Sequence, residues 1–179
     1  MFSMKKILTL LLLAAMLLSF AACTEAGAPE GTFNVAIENA KFNLYVPEGT
    51  WMSTANSGVS GARYYSGTDF SNVTVTVYYP EEELTAATYW EKKCLQEYGA
   101  YFKDFTVLSD KCGDTTLGGL DAQRYVYEAK LEGDVTYRFM QVMTVKDTLI
   151  YTFTYTAKID LYDSHLTDVE AMITNFTFR

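Results

Sequence analysis

The chain has 179 residues and a formal net charge of −8, and 15% of its residues are aromatic, including 14 tyrosines. This length is suited to one domain with a substantial core, and the excess of tyrosine favours a β-sheet protein that works outside the cytoplasm. An acidic surface repels phosphate backbones and anionic headgroups, which argues against nucleic-acid binding and against electrostatic docking to a membrane.

The N-terminus has the pattern of a secretory signal. Lys5 and Lys6 precede an apolar run over 7–18, and small residues lead to Cys23. The run is too short for a comfortable transmembrane helix. The segment resembles a bacterial lipoprotein signal, in which the peptidase cuts just before a cysteine that carries a lipid on its sulfur, although Phe20 stands where that family usually has Leu, Val or Ile.

This resemblance implies that residues 1–22 are the signal peptide and that a palmitate-type modification of Cys23 anchors the protein to the extracytoplasmic face of the cell membrane. The alternative is an ordinary cut after Ala21 or Ala22, which leaves Cys23 as a free thiol. Removing the leader leaves 12 basic against 22 acidic residues. Residues 23–32 are then the lipidated cysteine and a flexible tether whose last nine residues reach at most roughly 30 Å.

The first part of the predicted domain, 33–179, alternates apolar and polar residues. Strands are expected at 33–37, 42–46, 62–66 and 72–79, with a hairpin turn at 67–69 between the last two. From 83 to 102 the apolar period becomes helical. In this helix, Thr88 and Glu91 have the spacing of a capping box.

Cys94 lies on the apolar stripe of this helix, and Cys112 lies 18 residues further along the chain. Such a pair could form a disulfide in an oxidising compartment. The alternative is that Cys94 is a small buried hydrophobic residue.

The strongest pattern runs from 120 to 157, where three segments alternate with period two and predict an antiparallel meander. Its odd-numbered residues form a continuous apolar set, while its even-numbered residues are mixed and half polar. A second amphipathic helix is predicted at 161–175, followed by a short edge strand at 176–178. The predicted fold class is therefore α+β, with a single antiparallel sheet flanked by helices in an α/β/α sandwich.

The even-numbered residues of the meander supply the one candidate binding site. They include two arginines and several threonines, a combination that suits an anionic or sugar-like group: Arg124, Thr136, Arg138, Thr152 and Thr154. The alternative interpretation is a solvated or partly covered sheet face.

A single histidine limits the catalytic and metal sites that the sequence could form. His165 is the only histidine, and Asp168 follows it on the second predicted helix, where the two most simply form a local pair. The common nucleophile, zinc, nucleotide and calcium motifs are absent from the sequence, so no catalytic residue, metal or cofactor is predicted.

The order of elements resembles the PsbP-like family, including DcrB-type bacterial lipoproteins. The similarity covers Lys41 to Arg179 and rests on Phe42-Asn43-Leu44-Tyr45-Val46-Pro47-Glu48-Gly49-Thr50-Trp51, Tyr89-Trp90, Leu117-Gly118-Gly119 and Phe176-Thr177-Phe178. The resemblance implies a sheet between helices and a non-enzymatic accessory or binding role. The leading hypothesis is a monomeric envelope lipoprotein that assists a membrane-proximal protein partner, with a small-ligand carrier second and a carboxylate-based hydrolase last.

Overall fold

The computed structural model describes residues 27–131 and 133–179. The predicted signal peptide and Cys23 lie outside this range. Within it the chain forms twelve strands: β1 Thr32–Asn34, β2 Phe42–Asn43, β3 Tyr45–Pro47, β4 Trp51–Ser53, β5 Gly61–Tyr64, β6 Asn72–Tyr78, β7 Lys103–Val107, β8 Gly113–Leu117, β9 Leu120–Lys130, β10 Thr136–Lys146, β11 Leu149–Lys158 and β12 Thr177–Phe178.

Two longer helical segments interrupt the strands. Helix α1 covers 86–101 and consists of Ala86–Tyr89, a π-helical turn at Trp90–Cys94, and Leu95–Tyr101. Helix α2 covers 159–174 and consists of Ile159–Tyr162, a 3₁₀ turn at Asp163–His165, and Leu166–Thr174. Three short 3₁₀ turns are described altogether, the other two being Ala55–Ser57 and Ser109–Lys111.

The N-terminus of α1 is capped by two threonines. The Thr85 side chain accepts a hydrogen bond from the Thr88 amide, while the Thr88 side chain accepts one from the Thr85 amide. The capping box therefore lies one turn before the predicted Thr88 and Glu91 pair, because the helix begins at Ala86.

Eight strands form the main sheet. Seven of them follow the order β4-β5-β6-β11-β10-β9-β7, and the eighth, β8, pairs with the first part of β9 on the same side as β7, which pairs with its last part. All pairings in it are antiparallel. The predicted meander over 120–157 is confirmed as β9, β10 and β11, at the centre of this sheet.

The prediction of a single sheet is incomplete. Strands β1 and β3 form a separate two-stranded sheet, and β2 pairs with β12 in another. The short strands near the N-terminus pack over one face of the main sheet, where Leu44 and Val46 are fully buried. The broader prediction of an α+β fold is confirmed.

The two helices lie on opposite faces of the main sheet. Helix α1 packs with Tyr127, Phe139 and Met143, and we call this side the α1 face. Helix α2 packs with Val126, Val142 and Phe153, and we call this side the α2 face. The smaller core is on the α1 face, where the buried cluster reaches only β9 and β10.

The prediction that all even-numbered meander residues share a face is wrong. The turn between β10 and β11 contains only Asp147 and Thr148, both with positive φ, so that Lys146 pairs with Leu149. A two-residue turn places even residues of β10 opposite odd residues of β11. In contrast, odd residues pair with odd residues between β9 and β10.

Candidate functional site

The register separates the residues of the predicted binding site. Arg124, Thr136 and Arg138 lie on the α2 face, whereas Thr152 and Thr154 lie on the α1 face. The sheet itself stands between the two groups, so these five residues do not form one site. Ligand binding by either group stays a prediction.

Both arginines are already paired with carboxylates. Arg124 Nη2 lies 2.8 Å from Glu170 Oε2 of α2, and the Nε atom of Arg124 is buried without a hydrogen-bond partner. Arg138 donates from Nε and Nη2 to the same Glu128 oxygen, at 2.9 and 2.6 Å. The guanidinium of Arg138 also lies 5.1 Å from the centre of the Tyr162 ring. The positive charge that an anionic ligand would need is therefore largely neutralised inside the protein.

The threonines of β11 belong to a polar strip on the α1 face. Thr152 pairs with Thr76, Thr154 with Thr74, and Thr156 with Asn72. Helix α1 covers β9 and β10 more completely than β6, since Thr76 is exposed and Thr74 half-buried. An incompletely covered polar surface therefore exists on the α1 face. The arginine on this surface is Arg63 of β5, which pairs with Asn72, and not the predicted Arg124 or Arg138.

Gln141 lies where this strip meets the aromatic core under α1. Its side chain is only 5% exposed, and its Nε2 atom donates to Tyr98 Oη at 3.2 Å and to Thr154 Oγ1 at 3.4 Å. Its Oε1 atom is buried without a hydrogen-bond partner. A buried polar atom of this kind costs stability.

The possible disulfide between Cys94 and Cys112 is absent from the structure, in which both cysteines are free. Cys94 is buried on α1 beside Tyr89 and Tyr98, where burial raises its pKa. Cys112 donates to the Leu108 carbonyl oxygen at 3.3 Å and accepts from the Val126 amide at 3.3 Å. Cys94 thus has the role of a small buried hydrophobic residue, which was the alternative from the sequence.

His165 pairs with a distant residue rather than with Asp168. Its Nε2 atom lies 2.7 Å from Asp69 Oδ2, and both side chains are buried. Asp168 instead accepts a hydrogen bond from the Trp51 indole at 2.8 Å. Because Asp69 lies in the loop between β5 and β6, this pair fastens that loop to α2, and a local pairing rule could not identify it.

Several donors control the charge of Asp69. Burial alone would raise its pKa, but the hydrogen bond from the Ser71 amide, the nearby Ser71 hydroxyl and the interaction with His165 outweigh burial and hold the pKa below its ordinary value. The Ser71 amide donates to Asp69 Oδ1 at 2.8 Å, while the Ser71 hydroxyl is buried without a partner. The Tyr64 ring lies 4.1 Å from the His165 ring and packs over the pair.

Two surface cavities lie among the described residues. One, of about 730 Å³, lies at the β4–β5–β6 edge of the sheet and is lined by Met52, Arg63, Tyr64, Tyr65, Ser66, Gly67, Asp69, Phe70 and Asn72. The other, of about 710 Å³, lies between the start of α1 and the first residues of β9. Its lining includes Glu83, Leu84, Asp121 and Val145, which provide acidic and aliphatic side chains and no cation.

The described residues contain neither a metal-binding cluster nor a membrane-spanning helix. Among them, no group of three or more histidine, cysteine or carboxylate side chains could hold a metal ion. Nor does that part of the chain contain a helix with the length and hydropathy needed to cross a bilayer.

Comparisons with known proteins identify the fold. No family model and no curated protein sequence matches the chain. Among solved structures, it resembles cyanobacterial PsbP (CyanoP) from Synechocystis sp. PCC 6803, with a TM-score of 0.59 and 14% identity over 86% of this chain and 96% of that one. The resemblance to the PsbP-like family is therefore confirmed at the level of the fold.

Two further structures share this architecture. PA94 from Pseudomonas aeruginosa, a protein of unknown function, has a TM-score of 0.58 and 14% identity, covering 83% of this chain and 97% of that one. LpqN of Mycobacterium tuberculosis, described as involved in cell envelope biogenesis, has a TM-score of 0.52 and 15% identity, covering 82% and 89%. At these identities the similarity establishes the fold alone.

Proposed function

We propose that this protein is a lipid-anchored envelope protein whose PsbP-like domain binds and assists another envelope component without catalysing a reaction. The observation that carries the proposal is the fold, which is shared with CyanoP and with the envelope-related LpqN. The lipoprotein-like leader ending at Cys23 supports the location on the extracytoplasmic side of the membrane.

The state of the reactive side chains supports a non-enzymatic role. His165 is held by Asp69, and the Cys94 thiol is buried with a raised pKa. A general base needs access to its substrate and a nucleophile needs an activating base, and neither requirement is met by these groups. The positive charges of Arg124 and Arg138 are likewise neutralised by ion pairs with Glu170 and Glu128. This weakens the alternative of an anionic-ligand carrier.

The anchor is tested first. The full chain, expressed with its leader in a bacterium, is expected to yield a mature form that begins at Cys23 and carries acyl chains, as measured by mass spectrometry. The Cys23→Ala variant should lose the acyl mass and the membrane fraction while retaining the same far-ultraviolet circular dichroism. An unmodified Cys23 in the wild-type protein would contradict the proposal.

Binding is tested with the anchored protein. Affinity capture from detergent-solubilised membranes of the source cell should recover one envelope component in near-stoichiometric amount. The Cys23→Ala protein, added to the same extract, should still recover it, because the folded domain and not the lipid makes the contact. Turnover that is abolished by a single carboxylate substitution would instead support a hydrolase.

A further inference from the structure

We infer that the β4–β5–β6 edge of the main sheet faces the membrane, with Tyr65 and Phe70 in the headgroup region of the lipid bilayer. We call the group Met52, Arg63, Tyr65, Phe70 and Lys158 the aromatic edge. The inference rests on the proposed lipid anchor and adds to it an orientation of the domain and a lipid-contacting surface.

The apolar members of the aromatic edge are exposed and lie together. Tyr65 is 69% and Phe70 64% exposed, and both line the 730 Å³ cavity together with the partly exposed Met52. Single exposed apolar side chains are ordinary on a protein surface, whereas a cluster of them marks a contact surface. Tyrosine is enriched at the level of lipid headgroups, because its ring is apolar and its hydroxyl is hydrated.

The same edge lies close to the point where the predicted tether reaches the folded domain. The Glu48 amide donates to the Gly31 carbonyl at 2.9 Å, and the Tyr65 amide donates to the Thr50 carbonyl at 2.8 Å. Two hydrogen bonds and the turn from Glu48 to Thr50 therefore separate Gly31 from Tyr65, a distance on the order of 15 Å. The eight residues that follow Cys23, up to Gly31, can span at most roughly 28 Å, so a lipid on Cys23 holds this end of the domain near the bilayer.

The charges at the aromatic edge differ from those of the whole chain. Arg63 is exposed, Lys158 Nζ lies 5.9 Å from the Phe70 ring, and neither forms an ion pair within the described residues. The nearest acid lining the cavity, Asp69, faces His165 in the interior. Exposed Asp160 stands two residues after Lys158, and exposed Glu30 and Glu48 lie where the tether meets the domain. The aromatic edge itself thus carries two cations, which can reach lipid phosphates. Because the rest of the surface is acidic, we expect it to point away from the membrane.

The protein contains a matched control position. Tyr101 is 88% exposed at the end of α1, next in the chain to Phe102 and β7. Strand β7 forms the sheet edge opposite to β4. An orientation set by the aromatic edge therefore brings Tyr65 and Phe70 to the bilayer and leaves Tyr101 in water.

The experiment uses the acylated full chain in phosphatidylcholine vesicles that contain bromine-labelled phospholipid. Three variants, Tyr65→Trp, Phe70→Trp and Tyr101→Trp, each add one indole to the buried Trp51 and Trp90. Quenching of the added indole at 65 and at 70 should exceed that at 101 by at least about twofold, because bromine quenches only indoles within the bilayer. Acyl mass and flotation with the vesicles are measured on the same samples.

The outcomes separate the two proposals. If the acylated protein floats but positions 65 and 70 are quenched no more than position 101, the orientation is wrong while the anchor stands. An unmodified Cys23 overturns both. A blue shift of the added indole that depends on protein concentration and not on vesicles would assign the edge to a second copy of the chain and would also overturn the inference.

Discussion

The two faces of the main sheet bury different chemistry. The core on the α2 face consists of aliphatic and aromatic side chains, with Phe153, Val142 and Leu44 fully buried. The core on the α1 face contains Trp90, Cys94, Tyr127, Phe139 and Met143, with partly buried tyrosines around it, and it borders on Gln141 and the threonine strip. The α2 face therefore contributes stability through the larger area of continuous apolar burial, although it also encloses the Asp69–His165 pair and the Thr144 hydroxyl. The α1 face buries less apolar surface and encloses the Gln141 amide, whose polar atoms must find partners or lower the stability.

Burial also determines the protonation of the tyrosines on the α1 face. Burial, together with the neighbouring Cys94, raises the pKa of Tyr98 to about 12, although the hydrogen bond from Gln141 opposes this shift. Burial also raises the pKa of Tyr125 to about 12, beneath the stacked Trp90 ring. These hydroxyls therefore remain neutral over the physiological range, and the α1 face is polar without being charged.

The largest expected effect is on the α2 face. Phe153→Ala should lower the free energy of unfolding by about 3–5 kcal/mol, because it leaves a cavity in the centre of the sheet. Phe139→Ala on the α1 face is the matched variant and should cost about 3 kcal/mol, at the lower end of that range, because the adjoining Phe102 and Tyr127 rings can move into the space. Urea denaturation followed by circular dichroism measures both. A greater loss for Phe139→Ala would contradict this ranking of the two cores.

The second effect tests the pair that fastens the β5–β6 loop to α2. Asp69→Asn should destabilise the protein by about 1–3 kcal/mol at pH 7, because a charge-assisted hydrogen bond to the buried His165 is lost. Asp168→Asn, which keeps an oxygen acceptor for the Trp51 indole, is the control and should cost less than about 1 kcal/mol.

The pH dependence of this pair has a defined sign. The folded pKa of Asp69 lies below its ordinary value near 3.8, so the carboxylate contributes its stability above that value. The contribution is lost as the pH falls below about 3.8, through the lowered folded pKa. The stability difference between wild type and Asp69→Asn, measured by urea denaturation from pH 7 to pH 3, should therefore shrink at the acidic end. A difference that grows on acidification would show the opposite shift.

The third effect compares two arginines on opposite faces. Arg138 is mostly buried and bonded twice to Glu128, so Arg138→Gln should cost about 1–2 kcal/mol, between the values typical of exposed and of buried pairs. Arg63 is exposed, and Arg63→Gln should change the free energy of unfolding by less than about 0.5 kcal/mol. Thermal denaturation of both variants checks the comparison. Equal losses would show that Arg63 is held by contacts comparable to those of Arg138.

Sequence patterns predicted the elements of this fold better than their mutual positions. The meander, both helices and the β5–β6 hairpin follow from periodicity, because each pattern is local. The two-residue turn at Asp147 and Thr148 contains the information needed to assign the faces. Counting across that turn would have placed Arg138 and Thr154 on opposite faces, since a two-residue loop pairs residues whose numbers differ in parity.

The remaining features of the candidate site depend on contacts that are distant in sequence. Asp69 and His165 are separated by 96 positions, so no local rule pairs them. The aromatic edge combines side chains from β4, β5, β11 and the β5–β6 loop, and their common exposure becomes visible only when these elements are placed side by side. A clue was present in the sequence, because Tyr65 and Phe70 flank the predicted hairpin turn, where large apolar residues are unusual.

The smallest expected effect has the opposite sign and tests the α1 face most directly. Gln141→Met removes a buried Oε1 atom that has no partner and also removes two long hydrogen bonds, at 3.2 and 3.4 Å. Methionine has nearly the same shape and is flexible enough to fill the space between Tyr98 and Thr154. The gain from removing the unpaired oxygen should outweigh the lost bonds, so the free energy of unfolding should rise by up to about 1 kcal/mol.

Thr144→Val on the α2 face is the matched control for Gln141→Met. The Thr144 hydroxyl is fully buried and donates to the Asp121 carbonyl at 2.7 Å. Because this bond is short and complete, its removal should destabilise the protein by about 1–2 kcal/mol. Urea denaturation measures the free energy of unfolding of both variants. A loss of more than about 1 kcal/mol for Gln141→Met would show that Oε1 has a partner in solution, such as a bound water.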